Sequence, residues 1–136
     1  MKGIADTGFI VAAGDCDDRH HEWAVSVAHS VTDQLFTCEA VLAEAAFYLR
    51  SAAYVLTLIE DGLLRVAFDC SGNLAQLREL AHRYADRNPD LADLCLIRMS
   101  ELYPRHTVIT VDEGDFRLYR RNKREAIPLL CPPHPS

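Results

Sequence analysis

Four carboxylates stand where an acid needs a reason. Asp6 ends KGIAD and Asp112 ends HTVITVD, each directly after apolar residues that suit a buried strand. Glu44 lies in CEAVLAEAAFYLR, with Ala40, Val41, Phe47 and Tyr48 three or four residues away. Asp93 lies in NPDLADLCLIRMSELY, with Pro89, Asp90, Leu96 and Ile97 at the same spacing. On helices, both fall on stripes that are apolar apart from Asp90, with no lysine or arginine in local reach. An acid buried without a partner shifts its pKa or destabilises the fold. Like charges about 4 Å apart repel by roughly 4 kcal/mol at an effective dielectric near 20. A divalent cation removes that conflict, and an all-oxygen donor set suits Mg2+ or Mn2+. The plainer alternative gives each acid an arginine from elsewhere, such as Arg50 or Arg98.

Other acids have local explanations. Glu39 and Asp90 stand where first-turn acids favour the helix dipole, and Glu113 reads as an exposed turn residue. Asp115 fits either of two roles, capping a short helix in DFRLYRR or joining a metal site. His20 and His21 are adjacent, so on a helix they diverge and do not form a zinc pair.

The elements that position these acids alternate. Strands are expected at 2–6, 35–37, 63–69, 106–112 and 126–130. TGFIVAAG (7–14) reads as a brief helical turn or loop, and HHEWAVSVAHSV (20–31) carries Trp23, Val27 and Val31 at helical spacing. Further helices are expected at 38–50, 51–62 with Gly62 as its stop, 72–86 and 88–103. The last opens with Asn88 as N-cap and Pro89 in the first helical position. This alternation predicts a three-layer α/β/α fold with a mainly parallel central sheet of about five strands. Such sheets place their sites beyond the carboxyl ends of the strands, where Asp6 and Asp112 stand. Residues 1–130 read as one domain and CPPHPS (131–136) as a loose proline-rich tail.

The composition is that of a globular protein. The chain has 136 residues, 49% of them hydrophobic and 25% charged, enough for a real core. No apolar run approaches the roughly 20 residues of a membrane span, and the start does not read as a signal peptide. Five cysteines are scattered singly, without a CxxC pair. That pattern predicts reduced thiols in a cytoplasm, neither a disulfide framework nor a zinc site. The net charge of −6 has the wrong sign for a nucleic-acid binder, but charge is unevenly distributed. Arg117, Arg120, Arg121, Lys123 and Arg124 crowd RLYRRNKRE, directly after the last acids. That run reads either as a substrate-binding patch or as solvated surface.

Taken together, Asp6-Thr7, VLAEAAFYL, DLADLCLIRMSE and TVDEGDF resemble the PIN-domain nucleases, most closely the VapC-type toxin ribonucleases. The resemblance runs from Met1 to about Leu130 in the family's order and spacing. Gly8 departs from it, since many members carry serine or asparagine there. The resemblance implies Mg2+- or Mn2+-dependent hydrolysis of RNA phosphodiester bonds. In it, Asp6, Glu44, Asp93 and Asp112 are the catalytic and metal-binding acids, and Thr7, Thr110 and Asp115 support them. The basic run, with Arg50 assisting, would hold substrate phosphates. It also implies a small antitoxin partner and a homodimer. A PIN-fold binding module with little turnover and a structure-specific DNA nuclease are the alternatives.

Overall fold

The computed structural model describes residues 1–134. Five parallel strands form its sheet: β1 (Gly3–Ala5), β2 (Leu35–Thr37), β3 (Leu64–Val66), β4 (Thr107–Ile109) and β7 (Leu129–Leu130). Their order is β3-β2-β1-β4-β7. The chain thus builds outward from β1 in one direction, then crosses back to add β4 on its other side. Ala5 pairs with Ile109, so the residues that follow, Asp6 and Thr110, leave the sheet side by side. This is the reversal point at which open parallel sheets leave a crevice.

Seven α-helices connect and cover the sheet: α1 (Thr7–Gly14), α2 (His21–Ser30), α3 (Glu39–Leu49), α4 (Ala52–Glu60), α5 (Leu74–Arg83), α6 (Leu91–Leu102) and α7 (Glu113–Leu118). Helix α1 packs on both α2 and α3, α3 packs on α4, α5 packs on α6, and α6 lies against α3, β1 and β4. The result is the expected three-layer α/β/α architecture. Ile4, Phe9, Leu35, Leu96, Ile97 and Ile109 are at most 1% exposed and form the centre of the core.

Several boundaries differ from expectation. TGFIVAAG is a complete helix: Phe9, Ile10 and Ala12 are all buried. A helix surrounded by protein loses the one-sided pattern that would announce it. Helix α6 starts at Leu91, not at Pro89, and its N-cap is Asp90, whose carboxylate accepts from the Asp93 N–H at 2.8 Å. Asn88 has φ +46° and belongs to the preceding turn. The expected strand at 126–130 is two pieces. Glu125–Ala126 (β6) pairs antiparallel with Arg120–Arg121 (β5) in a separate ribbon, and only Leu129–Leu130 joins the main sheet. Pro128 stands between them and still offers its carbonyl to the Val108 N–H at 2.9 Å, as a proline without its own N–H can. The tail has no regular structure through residue 134, yet His134 Nε2 lies 3.3 Å from Glu113. Residues 135 and 136 lie outside the described residues.

Candidate functional site

Asp6 leaves β1 and is only 6% exposed. Both of its oxygens have a donor. The Thr7 N–H reaches Oδ1 at 2.7 Å, and the Thr110 hydroxyl donates to Oδ2 at 2.6 Å. Thr110 is placed by the sheet, with its own N–H bonded to the Leu130 carbonyl. Its hydroxyl also accepts from the Asp112 N–H at 2.9 Å. One threonine therefore couples the strand-end acid of β1 to the acid that follows β4. On the other flank, the Thr7 hydroxyl donates to Glu44 Oε1 at 2.7 Å, tying α1 to α3.

Asp6, Glu44, Asp93 and Asp112 line one cleft of about 320 Å³, with Thr7, Gly8 and Val111 in its wall. Among the described residues, none of these four acids is in an ion pair. No lysine or arginine lines the cleft. Arg98, a candidate counter-ion, bonds Asn73 and Glu101. Arg50 forms the left-handed C-cap of α3 and is exposed. The plain alternative of arginine-paired structural acids is therefore absent from the described residues.

The electrostatics follow from that absence. Burial raises the Asp6 carboxyl from 3.8 to about 6, against the opposing pull of Thr110 and Thr7; Asp112 and Glu44 add to the rise. Burial also lifts Asp93 to about 7, helped by the nearby charges of Asp90 and Asp6, while the Tyr119 hydroxyl at 3.2 Å opposes the shift. Glu44 is raised by burial and then by Asp90. Asp112 is raised by burial and then by Asp115. Each acid is thus poised to lose its proton more readily when a cation arrives. Carboxylate oxygens of Asp93, Asp112 and Asp115 can all lie within 4.8 Å of one another. That places Asp115 with the site acids, although Arg87 also approaches it at 3.8 Å across the surface. The all-oxygen set of Asp6, Glu44, Asp93 and Asp112, with no paired cation among the described residues, fits a hard divalent metal.

Two further acids line the cleft. Asp90, expected only to favour the dipole of its helix, caps α6 and faces Glu44 and Asp93. Asp18 comes from the α1–α2 connection. The dense local acid run DCDD offered no way to choose it. Tyr48 also reaches the cleft and is 66% exposed beside Phe47 at 76%. The stripe that singled out Glu44 is therefore core on its Val41 side and open at Phe47 and Tyr48.

Gly8 has a steric explanation. A Cβ there would collide with Val111 Cγ2. Serine or asparagine at this position would need a smaller neighbour at 111.

The basic run does not act as a unit. Arg121 is 5% exposed, and its guanidinium bonds Glu125 and the carbonyls of Ser100 and Pro104. It clamps the β5–β6 ribbon to the end of α6 and is not free to hold substrate, which corrects its expected role. Arg120 donates to the carbonyls of Arg117 and Tyr119, and Arg117 pairs with Glu113. Lys123 and Arg124 are exposed in the turn of the ribbon. Nearer the acids, Arg19 and His20 line a second hollow that shares Val111 and Asp112 with the cleft. Neither a family model nor a curated protein matches the sequence.

Proposed function

We propose that this chain is a metal-dependent endoribonuclease of the PIN type, acting as the toxin of a toxin–antitoxin pair. The observation that carries the reading is the convergence of Asp6, Glu44, Asp93 and Asp112, from separate elements, on one cleft without a counter-ion. The motif resemblance supplies the substrate class; the site supports a cation-assisted reaction.

Asp6, Asp93 and Asp112 would hold Mg2+ or Mn2+, with Glu44 as a further ligand or as the group that orients the attacking water. The bound metal would polarise the scissile phosphate and lower the pKa of a water for in-line attack. Thr7 and Thr110 fix the orientation of Asp6 at the cleft wall, as groups around a metal ligand do. Glu44 is held by the Thr7 hydroxyl on one oxygen, which leaves the other to accept a proton. Phosphate contacts would come from exposed cations: Arg19 in the hollow beside the cleft, Arg87 beside Asp115, and Lys123 and Arg124 in the ribbon turn. A small antitoxin would silence the site by placing an arginine or lysine among the carboxylates, where it neutralises them as a metal would.

Incubation of the purified protein with total RNA, with Mg2+ or Mn2+ and with EDTA, tests the reading. Cleavage should require the metal and disappear in Asp6→Asn with the circular-dichroism spectrum unchanged. Equal cleavage by wild type and Asp6→Asn would remove the metal assignment. Metal-dependent cutting of DNA alone would make the chain a DNA nuclease, and RNA binding without turnover would make it a binding module.

A further inference from the structure

Cysteines that are far apart in the sequence meet in the fold. Cys38 immediately precedes α3, Cys95 lies in α6, and Cys70 precedes the short 3-10 turn that leads into α5. All three line one cavity of about 390 Å³, with Glu39, Phe68 and Leu91. Cys38 and Cys95 are buried at 2% and 1% exposure, while Cys70 is partly exposed. Leu91, at 53% exposure, carries the cavity to the surface, so a small polar reagent can enter.

We propose that Cys38 and Cys95 form an oxidisable dithiol, converted by a hydroperoxide into a disulfide that ties the start of α3 to α6. Cys95 adjoins both Cys38 and Cys70 across the cavity, but the N–H groups of Val41 and Ala40 at the start of α3 face the Cys38 sulfur, which singles out Cys38 as its nucleophilic partner. Such N–H groups at a helix start favour the thiolate, the nucleophilic form. The Cys38 thiolate attacks the peroxide, giving Cys38 sulfenic acid and releasing one hydroxide, or an alkoxide from an organic peroxide. The Cys95 sulfur then displaces the sulfenic hydroxyl; its own proton leaves with that group as water. Two thiols are oxidised by two electrons and one peroxide is reduced.

Chelation of a soft metal is the competing use of three cysteines. It requires three sulfurs converging on one point. Among the described residues, the side-chain groups close enough to share an ion are Asp15–Cys16–Asp17 and Asp93–Asp112–Asp115, and the three-cysteine set is not one of them. Pairwise chemistry therefore fits these thiols better than a shared ion. This inference is independent of the nuclease reading.

Peptide mapping tests it without ambiguity. Trypsin places Cys38 in 20–50, Cys70 in 66–78 and Cys95 in 88–98, while Cys16 and Cys131 fall in 3–19 and 125–136. The folded protein is treated with a few equivalents of hydrogen peroxide, denatured, alkylated with iodoacetamide and digested without reductant. Two of the five thiols should escape alkylation, and 20–50 should appear covalently joined to 88–98. Cys95→Ser should instead leave a Cys38 sulfenic acid that dimedone captures. Full alkylation of all five thiols, or a bond between any other pair, overturns the proposal. So does stoichiometric zinc in the protein as purified that blocks alkylation of all three cysteines. If Cys95→Ser fails to fold, the wild-type peptide map decides alone. A Cys16→Ser/Cys131→Ser double variant, changed outside the cavity, should give the same map.

Discussion

Asp93→Asn separates a cation site from a structural acid most sharply. In the metal-free fold, the Asp93 carboxyl titrates at about 7, against 3.8 for the ordinary side chain. A folded-state pKa raised above the unfolded value means that the folded protein binds more protons through that window. Stability is therefore unaffected below about 4, falls as pH rises towards 7, and carries the whole cost above that. Full conversion at 1.36 kcal/mol per pH unit gives roughly 4 kcal/mol. Asp93 is only half-buried, so solvent screening reduces this to about 1–2 kcal/mol. The amide is nearly isosteric and can still accept the Tyr119 hydroxyl. In EDTA at pH 8, Asp93→Asn should thus melt several degrees above wild type, at about 4 °C per kcal/mol. The advantage should shrink through pH 6 and vanish near pH 4. Added Mg2+ should raise the wild-type melting temperature, since a ligand of the native state contributes about 2.7 kcal/mol at a hundredfold excess over Kd. The variant should respond much less. A structural ion pair predicts the reverse, a loss of about 3–5 kcal/mol with or without metal. A less stable Asp93→Asn in EDTA at pH 8, together with a wild type indifferent to metal, would refute the reasoning.

Two other substitutions probe the surroundings. Arg121→Ala should lower stability by about 2–4 kcal/mol in urea melts, because it strands the Ser100 and Pro104 carbonyls and Glu125. Lys123→Ala/Arg124→Ala should stay within about 0.5 kcal/mol of wild type, and equal losses in the two would contradict the clamp. Gly8→Ala should cost about 1–3 kcal/mol through its collision with Val111. Combining it with Val111→Ala should recover part of that loss as a measurable coupling, and strict additivity would show that the two side chains do not compete for space.

What the sequence revealed depended on how local each determinant was. The strands before Asp6 and Asp112 announce themselves through short apolar stretches, and the acids that follow leave the sheet at the expected ends. Glu44 and Asp93 stood out because their helical neighbours are apolar, although Phe47 and Tyr48 proved to be exposed. Asp90 has a sufficient local role as an N-cap, and that role hides its second one in the cleft wall. The basic run shows the limit of charge counting. Its members look alike in sequence, but tertiary contacts bury Arg121 and neighbouring carbonyls tether Arg120, while Lys123 stays in solvent. The cysteine cavity is wholly long-range. Three residues separated by whole elements meet only because α3, α6 and the segment before α5 do.

The crossing back of the chain also sets an order of events in time. While the polypeptide is being made, α1 to α4 can assemble around β1, β2 and β3 before α6, the partner of α5, exists. The edge of β1 that will receive β4 stays open until residues 107–109 exist. The Thr110–Asp6 hydrogen bond joins positions 104 residues apart, and such distant pairings form slowly because loop closure precedes their reward. Asp6 and Glu44 can be in place early, but Asp93 and Asp112 arrive only with α6 and the end of β4. Charge crowding is thereby deferred until most of the core is available to resist it. A nascent chain that stops short of β4 lacks a complete set of acids, so any activity that needs all four begins only after Asp112 has been added.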